Sequence, residues 1–174
     1  SCPVPPVLKG ALFRCLASLC GCSQSDSAYD GMAQGLMEEI WTAMDNYKLL
    51  PTGGRLASMP FGNKESSGAK QFFGLQYELE AIESASGVYC VTDGFLSLML
   101  ALVQAGGVPG QLGHGQRVAG IICYLEHILE DILYKMHMRV YFPAGTLGES
   151  QRWRIVSKAL SLLCSVLQGY EVNR

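Results

Sequence analysis

Residues 118–136, VAGIICYLEHILEDILYKM, decide the fold class of this chain. Apolar side chains recur there every three or four residues, which is the period of an amphipathic α-helix. They are Val118, Ile121, Ile122, Leu125, Ile128, Leu129, Ile132, Leu133 and Met136. Burying a large apolar side chain releases roughly 1.5–3 kcal/mol, whereas ordering the backbone costs about 1–2 kcal/mol per residue. The free energy gained by burial offsets the cost of ordering only when the helix packs between neighbouring helices. We therefore predict a helix that stacks against others.

The same period continues along most of the chain. The first helix is predicted to bury Leu8, Leu12, Cys15, Leu16 and Leu19. The second, preceded by the capping pair Ser27 and Asp30 and ending near Pro51, is predicted to bury Met32, Leu36, Met37, Ile40, Trp41 and Met44. Helices are also predicted over about 71–86 and 91–105, separated by a break at Gly87. A last helix from about residue 151 is predicted to bury Trp153, Val156, Leu160, Leu163 and Leu167.

These patterns predict an all-α fold of stacked antiparallel helix pairs, the arrangement of an α-solenoid. The best strand candidate, residues 138–142, is interpreted as the end of a helix before Pro143. Residues 51–70 and 106–116 are rich in glycine and are predicted to be flexible connections between helices. The chain lacks an initial Met and stops as a helical pattern ends, so we read residues 1–174 as an internal segment of a larger solenoid. Alone, we expect it to be poorly soluble or molten, because its ends would expose apolar surface.

Composition narrows the class of protein. Apolar residues make up 49% and charged residues 16%, which favours an ordered chain. Basic residues are not clustered, so no direct nucleic-acid contact is expected. The longest apolar run, residues 95–103, is half the length of a membrane span. The seven cysteines are odd in number and lie mostly among aliphatic residues, which predicts reduced thiols in the cytosol or nucleus.

Three carboxylates stand close together in residues 74–84, GLQYELEAIES. On a regular helix Glu80 and Glu83 share a face with Gln76, and Glu78 lies between that face and the opposite one. The opposite, buried face is predicted to hold Leu75, Leu79 and Ile82. We therefore predict a solvated polar face, with an acid/base or metal site as the alternative.

Other candidate sites are incomplete. His127 and Asp131 are spaced as a surface ion pair, and neither His114 nor His137 has an obvious partner. The segment 106–116 lacks the Lys-Ser/Thr of a phosphate-binding loop, and residues 148–152 lack the last glycine of a nucleophile elbow.

The cysteines at 15, 20 and 22 lack the spacing and histidines of a zinc site, and a core or helix-end role is predicted. Core packing is also predicted for Trp41, Tyr77, Trp153 and Tyr170, with a groove for a partner peptide as the alternative. We predict no catalytic, cofactor-binding or metal-binding residues and no enzyme activity.

Longer motifs resemble one family. The segments are FGLQYELEAIES at 73–84, GFLSLMLALVQA at 94–105, YLEHILEDILYKMHMRVY at 124–141 and QRWRIVSKALSLLCSVLQGYE at 151–171. In this order they resemble the large inner-ring scaffold nucleoporins, the nucleoporin two-hundred-and-five family, called one-hundred-and-ninety-two in fungi. The matching positions are Gly74, Glu78, Leu79, Ile82, Glu83, Ser84, Tyr89, Thr92, Trp153, Tyr170 and Glu171. The resemblance extends over about residues 35–171, and the break at 85–91 departs from the family pattern.

The resemblance implies a structural scaffold in the inner ring of the nuclear pore complex, at the nuclear envelope. It also implies partners among linker and scaffold nucleoporins and a role in supporting nucleocytoplasmic transport. Three alternatives remain at this point. The first is the related one-hundred-and-eighty-eight-type nucleoporin, and the second is another helical-repeat adaptor of nuclear transport or trafficking. An α-helical enzyme domain is the third.

Overall fold

The computed structural model describes residues 4–22, 30–47, 49–50, 74–109, 121–134 and 148–169. Every regular element in these ranges is a helix, which confirms the all-α prediction. The helices are α1 (Pro6–Cys22), α2 (Asp30–Asn46), α3 (residues 74–86), α4 (Cys90–Gly106), α5 (residues 122–134) and α6 (Gly148–Gly169). The predicted connection 51–70, the greater part of 106–116 and the strand candidate 138–142 lie outside the described residues.

Helix α4 forms the centre of the packing. Its buried positions occur all around the helix and include Val91, Phe95, Leu96, Leu98, Met99 and Leu102. A helix that is apolar on every side needs neighbours on every side. Helices α1, α2, α3 and α6 all pack against it. Its predicted extent, 91–105, agrees with the structure to within one residue at each end.

An aromatic cluster joins four helices through Phe95. The Phe95 ring is 6.2 Å from Phe13 of α1 and 6.3 Å from Tyr124 of α5, and it meets the His127 ring edge-on at 6.2 Å. Tyr124 in turn lies 5.9 Å from Trp41 of α2 in a T-shaped contact. Aromatic pairs at these spacings add about 0.5–1.5 kcal/mol each beyond the area they bury. The cluster therefore fixes α1, α2 and α5 around α4.

Helix α1 crosses α4 at two glycines. A Cβ added to Gly94 would lie 2.5 Å from the carbonyl oxygen of Gly10, and a Cβ added to Gly10 would lie 2.2 Å from the carbonyl oxygen of Cys90. Real Cβ atoms essentially never come that close, and the atoms they would meet are backbone rather than movable side chain. The two helices can approach to this distance only because both positions lack a side chain.

The crossing reverses the predicted orientation of α1. Its small residues face α4, and the predicted stripe faces solvent: Leu8, Leu12 and Leu19 are about half exposed and Cys15 is exposed. Only Leu16 of that stripe is partly buried. The prediction was wrong because α1 has apolar residues on two sides, and the close approach at Gly10 selects the side that carries Gly10, Phe13 and Ala17.

Helix α6 shows the same reversal. Its buried side is formed by Ile155, Ala159, Leu162 and Val166. Of the predicted stripe, Trp153, Leu160 and Leu167 are exposed, whereas Val156 and Leu163 are partly buried. The helix carries apolar residues on two sides, and periodicity alone cannot decide which side meets the core. In α2, Met37, Ile40, Trp41 and Met44 are buried as predicted, whereas Leu36 is exposed; the side chain of Met32 lies outside the described residues.

Helices α3 and α5 depart from the ordinary helical period. The segments Glu78–Glu83 and His127–Tyr134 are π-helical. A π-helix has hydrogen bonds to the fifth residue, so each turn holds more residues than in an α-helix. As a result Leu75, Leu79 and Glu83 share the buried side of α3. In α5, Ile122 and Leu129 are exposed to solvent, contrary to prediction. Helix α3 ends before Gly87, at φ +70°, as the predicted break requires.

The glycine crossing gives a direct test. We expect Gly94→Ala or Gly10→Ala to reduce the opening free energy of α4 by about 2–3 kcal/mol, because backbone atoms cannot move aside for the methyl group. Amide hydrogen exchange with mass spectrometry on the intact protein measures this. Gly35→Ala in α2 is the matched control: its Cβ would meet nothing within 4 Å, so it should be neutral or stabilising by about 0.5–1 kcal/mol. Equal effects at positions 94 and 35 would contradict the crossing.

Candidate interaction site

A buried carboxylate joins α3 to α4. Glu83 has no solvent exposure, and its carboxylate accepts hydrogen bonds from the backbone N–H groups of Val91, at 2.5 Å, and Thr92, at 3.2 Å. The Thr92 hydroxyl donates a third bond at 2.5 Å. These amides belong to the first turn of α4, where N–H groups have no partner within the helix. Glu83 therefore caps α4 from the preceding helix.

The prediction of a solvated Glu83 is therefore wrong, and the π-helical turn is the physical reason. Glu80 remains partly exposed and accepts a long hydrogen bond of 3.4 Å from Gln76, while Glu78 pairs with Lys9 of α1. The alternative of an acid/base site fits no better, because the Glu83 carboxylate is occupied by backbone donors and closed to solvent.

Burial raises the pKa of Glu83 from 4.5 to about 7. Hydrogen bonds from the Thr92 side chain and from the amides of Val91 and Thr92 act in the opposite direction, and the nearby Glu78 carboxylate adds to the rise. The cap therefore titrates close to neutral pH. Its protonation changes the contact between α3 and α4 without exposing a reactive group.

A second buried carboxylate joins α1, α4 and α6. Asp93 of α4 accepts a hydrogen bond from Lys158 Nζ at 2.7 Å and forms an ion pair with Arg154, whose Nε is 3.1 Å away. Both cations belong to α6. Arg14 of α1 approaches its second oxygen to 3.6 Å. Lys158 also donates to Ser97 Oγ at 2.7 Å. Because the side chain of Asp93 is only 4% exposed, these partners offset the cost of burying its charge.

The predicted pair in α5 forms, but it is buried rather than on the surface. His127 Nδ1 lies 2.9 Å from Asp131 Oδ2, with side-chain exposures of 3% and 6%. The prediction of a surface ion pair is therefore wrong. Nearby, the Tyr124 hydroxyl donates to Asp45 of α2 at 3.1 Å, so polar bonds as well as aromatic contacts hold α5 in place.

Two exposed apolar stripes lie on the outer sides of the bundle. The α1 stripe consists of Leu8, Leu12, Cys15 and Leu19, and the α6 stripe consists of Trp153, Leu160, Cys164 and Leu167. A shallow cavity of about 470 Å³ lies along the α6 stripe. Exposed apolar surface of this extent commonly marks contact with another protein or another part of the same chain.

A groove of about 430 Å³ runs between α1, α2 and α4. Its lining is mainly apolar and includes Phe13, Leu16, Leu36, Ile40 and Leu98, with Glu39 as an acidic residue in the lining. An apolar groove between helices can take an amphipathic helix or an extended segment of a partner. Its aromatic residues are Phe13 and Tyr47, whereas Trp41, Tyr77 and Trp153, for which a peptide groove was the predicted alternative, do not line it.

The remaining candidate residues show no shared site in the described part of the chain. Cys20 and Cys123 are buried, Cys15 and Cys164 are exposed, and all four are reduced. Burial raises the pKa of Cys20, and it raises that of Cys123 to about 11, with a smaller effect of Asp45.

Residues 148–152, the candidate nucleophile elbow, form the first turn of α6. Of the aromatics, Trp41 is buried whereas Tyr77 and Trp153 are exposed. His114, His137, Tyr170 and the side chain of Cys22 lie outside the described residues.

Within the described ranges, no group of three His, Cys, Asp or Glu side chains could hold a metal ion. In the same ranges no helix has the length and apolar character to cross a bilayer. What the geometry supplies is a set of contact surfaces around a tightly closed core.

The cap at Glu83 predicts a specific pH dependence. Because the folded-state pKa lies above 4.5, the folded state binds more protons than the unfolded state between about pH 4.5 and pH 7. The stabilising contribution is therefore complete below that window and is lost as pH rises through about 7. Relative to Glu83→Gln, which does not titrate, α4 should lose about 2 kcal/mol of opening free energy between about pH 5.5 and pH 8.

Hydrogen exchange of the segment after Gly87, corrected for intrinsic rates at each pH, measures this difference. Glu83→Ala should cost more than Glu83→Gln at every pH, because it leaves the buried donors of Val91 and Thr92 without an acceptor. Parallel pH curves for the unchanged protein and Glu83→Gln would show that the carboxyl does not titrate in this window.

Comparisons with known proteins identify relatives of the whole chain. A family model for the nuclear pore complex scaffold, nucleoporins 186/192/205, matches residues 1–173. The nuclear pore complex protein Nup205 of Homo sapiens is 26% identical over 170 residues, which is 98% of this chain and 7% of the relative. Nup205 of Drosophila melanogaster is also 26% identical over 170 residues, with the same coverage. No solved structure matched.

The chain thus spans 7% of the length of these relatives. The match nevertheless includes all six described helices and the residues between them. The motifs that resembled the large scaffold nucleoporins lie within it, and they include the Glu83 cap and the apolar helix α4 that it closes. This chain therefore belongs to the nuclear pore complex scaffold family of nucleoporins 186, 192 and 205.

Proposed function

We propose that residues 1–174 are an internal segment of an α-solenoid that helps to build the inner ring of the nuclear pore complex. In this role the chain has a structural function: it provides surfaces that bind other proteins and catalyses no reaction. It supports nucleocytoplasmic transport by holding linker and scaffold nucleoporins in place at the nuclear envelope. The connections at 51–70 and 106–116 join helices of the stack in this proposal.

The two outward apolar stripes are the observation that carries the proposal. They lie on α1 and α6, both of which pack with their other side against α4. A solenoid repeat has this form: one side packs in a local core, and the opposite side packs against the next repeat. Leu12 is 55% and Trp153 59% exposed, so the surface left to cover is substantial.

The groove between α1, α2 and α4 supports the linker part of the proposal. Its apolar lining and acidic Glu39 suit an apolar segment that carries a basic residue. The family match supports the scaffold part of the proposal, whereas the groove supports the binding of a linker segment. The predicted poor solubility of residues 1–174 alone follows from the uncovered stripes, and a sharp, reversible unfolding of the monomeric chain would count against it.

Affinity purification of the tagged full-length protein tests the assembly that it joins. We expect inner-ring linker and scaffold nucleoporins to be recovered in stoichiometric amounts, because scaffold contacts are permanent and extensive. Quantitative mass spectrometry of the purified complex gives the ratios. Transport receptors with cargo, or vesicle-coat subunits, as the dominant partners would favour the helical-repeat adaptor instead.

Charge placed in a stripe tests the stacking itself. We expect Leu12→Asp or Leu160→Asp to reduce co-purification of nucleoporins several-fold, because burying a carboxylate against a neighbouring helix costs several kcal/mol. Ser18→Asp is the control on the same helix, since Ser18 is exposed on α1 outside the α1 stripe, about 120° around the helix from Leu12 and about 60° from Cys15 at the edge of the stripe. Recovery equal to that of Ser18→Asp would mean that no neighbour covers the stripes, while hydrogen exchange of α4 shows that the local core is intact.

A further inference from the structure

Charged side chains are segregated between the helices. Every Lys or Arg whose side chain is described lies on α1 or α6: Lys9, Arg14, Arg152, Arg154 and Lys158. Helix α2 contains acidic residues and no basic one, and the described residues of α3 and α5 likewise contain no Lys or Arg. Among the described residues, the basic side chains therefore lie on two helices that both pack on α4.

Three of these cations converge on a single carboxylate. Arg14, Arg154 and Lys158 come from two helices and all lie within 4 Å of Asp93. One carboxylate neutralises one cation, so two positive charges remain uncompensated by the ion pairs at this seam. Cations held this close repel one another, and an additional anion would relieve that repulsion.

The seam is open to solvent where the surplus lies. The carboxylate is nearly buried, whereas the side chains of Arg14 and Arg154 are 44% and 55% exposed. Arg154 contacts Asp93 through Nε, and among the described residues its two terminal nitrogens have no ion-pair partner. Asp93 therefore acts as a buried anchor that fixes the cations and directs their remaining N–H groups outward.

We propose that this seam between α1 and α6, formed by Arg14, Arg154 and Lys158 over Asp93, binds a phosphorylated side chain of a partner protein. A phosphoserine or phosphothreonine carries about −1.5 to −2 charges at neutral pH and matches the surplus. Guanidinium groups bind phosphate oxygens in a paired, planar geometry, which the exposed terminal nitrogens of the arginines allow. This site lies apart from the apolar groove and both stripes, and it does not depend on which assembly the protein joins.

The size of the surplus favours one phosphate over a polyanion. Binding to nucleic acid commonly uses about 6–10 phosphate contacts, and anionic membranes are recognised by clusters of about 4–8 basic residues. The seam offers three cations, one of which Asp93 neutralises. Arg152 does not join it, because its guanidinium lies 5.5 Å over the Trp153 ring.

The test uses defined probes with the full-length protein. A short glycine-alanine peptide with one central phosphoserine, its unphosphorylated form, a glutamate form and inorganic phosphate are titrated by isothermal calorimetry. We expect the phosphopeptide to bind at least tenfold more tightly than the other probes, and its affinity to fall with salt. Arg154→Gln should weaken binding about tenfold, the effect of losing one charge-assisted interaction.

Arg152→Gln is the matched control, because it removes the same kind of charge two residues away on the same helix. Hydrogen exchange of α4 should be alike in the two variants, since Lys158 still pairs with Asp93 in both. Equal losses in Arg152→Gln and Arg154→Gln would overturn the proposal, as would no binding of the phosphopeptide. Equal affinity for inorganic phosphate would reduce the seam to an adventitious anion site, and tighter binding of anionic-lipid vesicles or of a DNA duplex, titrated in the same way, would overturn the proposal in favour of a polyanion.

Discussion

The close contact between Gly10 and Gly94 is the constraint on which the other features depend. It lets α1 lie directly on the backbone of α4, with the carbonyl oxygen of Gly10 in the space that a side chain of Gly94 would fill. This approach brings Phe13 to Phe95 and Arg14 to Asp93. It also leaves Leu8, Leu12 and Leu19 of α1 exposed to solvent. One backbone contact thus determines both how the core closes and which surface is left for partners.

Polar groups at the start of α4 complete that closure and determine which helices meet there. Glu83 satisfies the free amides at the start of α4, and Asp93 draws in the cations of α1 and α6. These directional bonds fix the relative positions of the helices more specifically than apolar contacts alone would. The resulting body is well ordered inside and apolar on two outer sides, as a member of a scaffold family needs when its neighbours supply the remaining contacts.

The local spacing of apolar residues was sufficient to predict the all-α class, the extent of α4 and the break at Gly87. The order of the longer motifs was sufficient to predict the family. The orientation of α1 and α6 could not be obtained in this way, because each helix has two apolar sides and the choice depends on the partner helix. Glu83 was misplaced because the π-helical turn shifts the phase of a helix, which a period of 3.6 residues cannot show. Asp93 within an apolar run was a usable signal for a buried charge, but its partners are more than 60 residues away in α6.

Thiol accessibility tests the central claim, that a closed core leaves two apolar stripes for neighbouring helices to cover. Cys15 lies in the α1 stripe and Cys164 in the α6 stripe, and both are exposed here. Cys20 and Cys123 are buried, with raised pKa values, and serve as internal references for slow alkylation. The measurement compares the alkylation rates of these four cysteines within the full-length protein, resolved by mass spectrometry. The account predicts that Cys15 and Cys164, covered there by neighbouring helices, react as slowly as Cys20; fast reaction of Cys15 and Cys164 beside a slow Cys20 would contradict it.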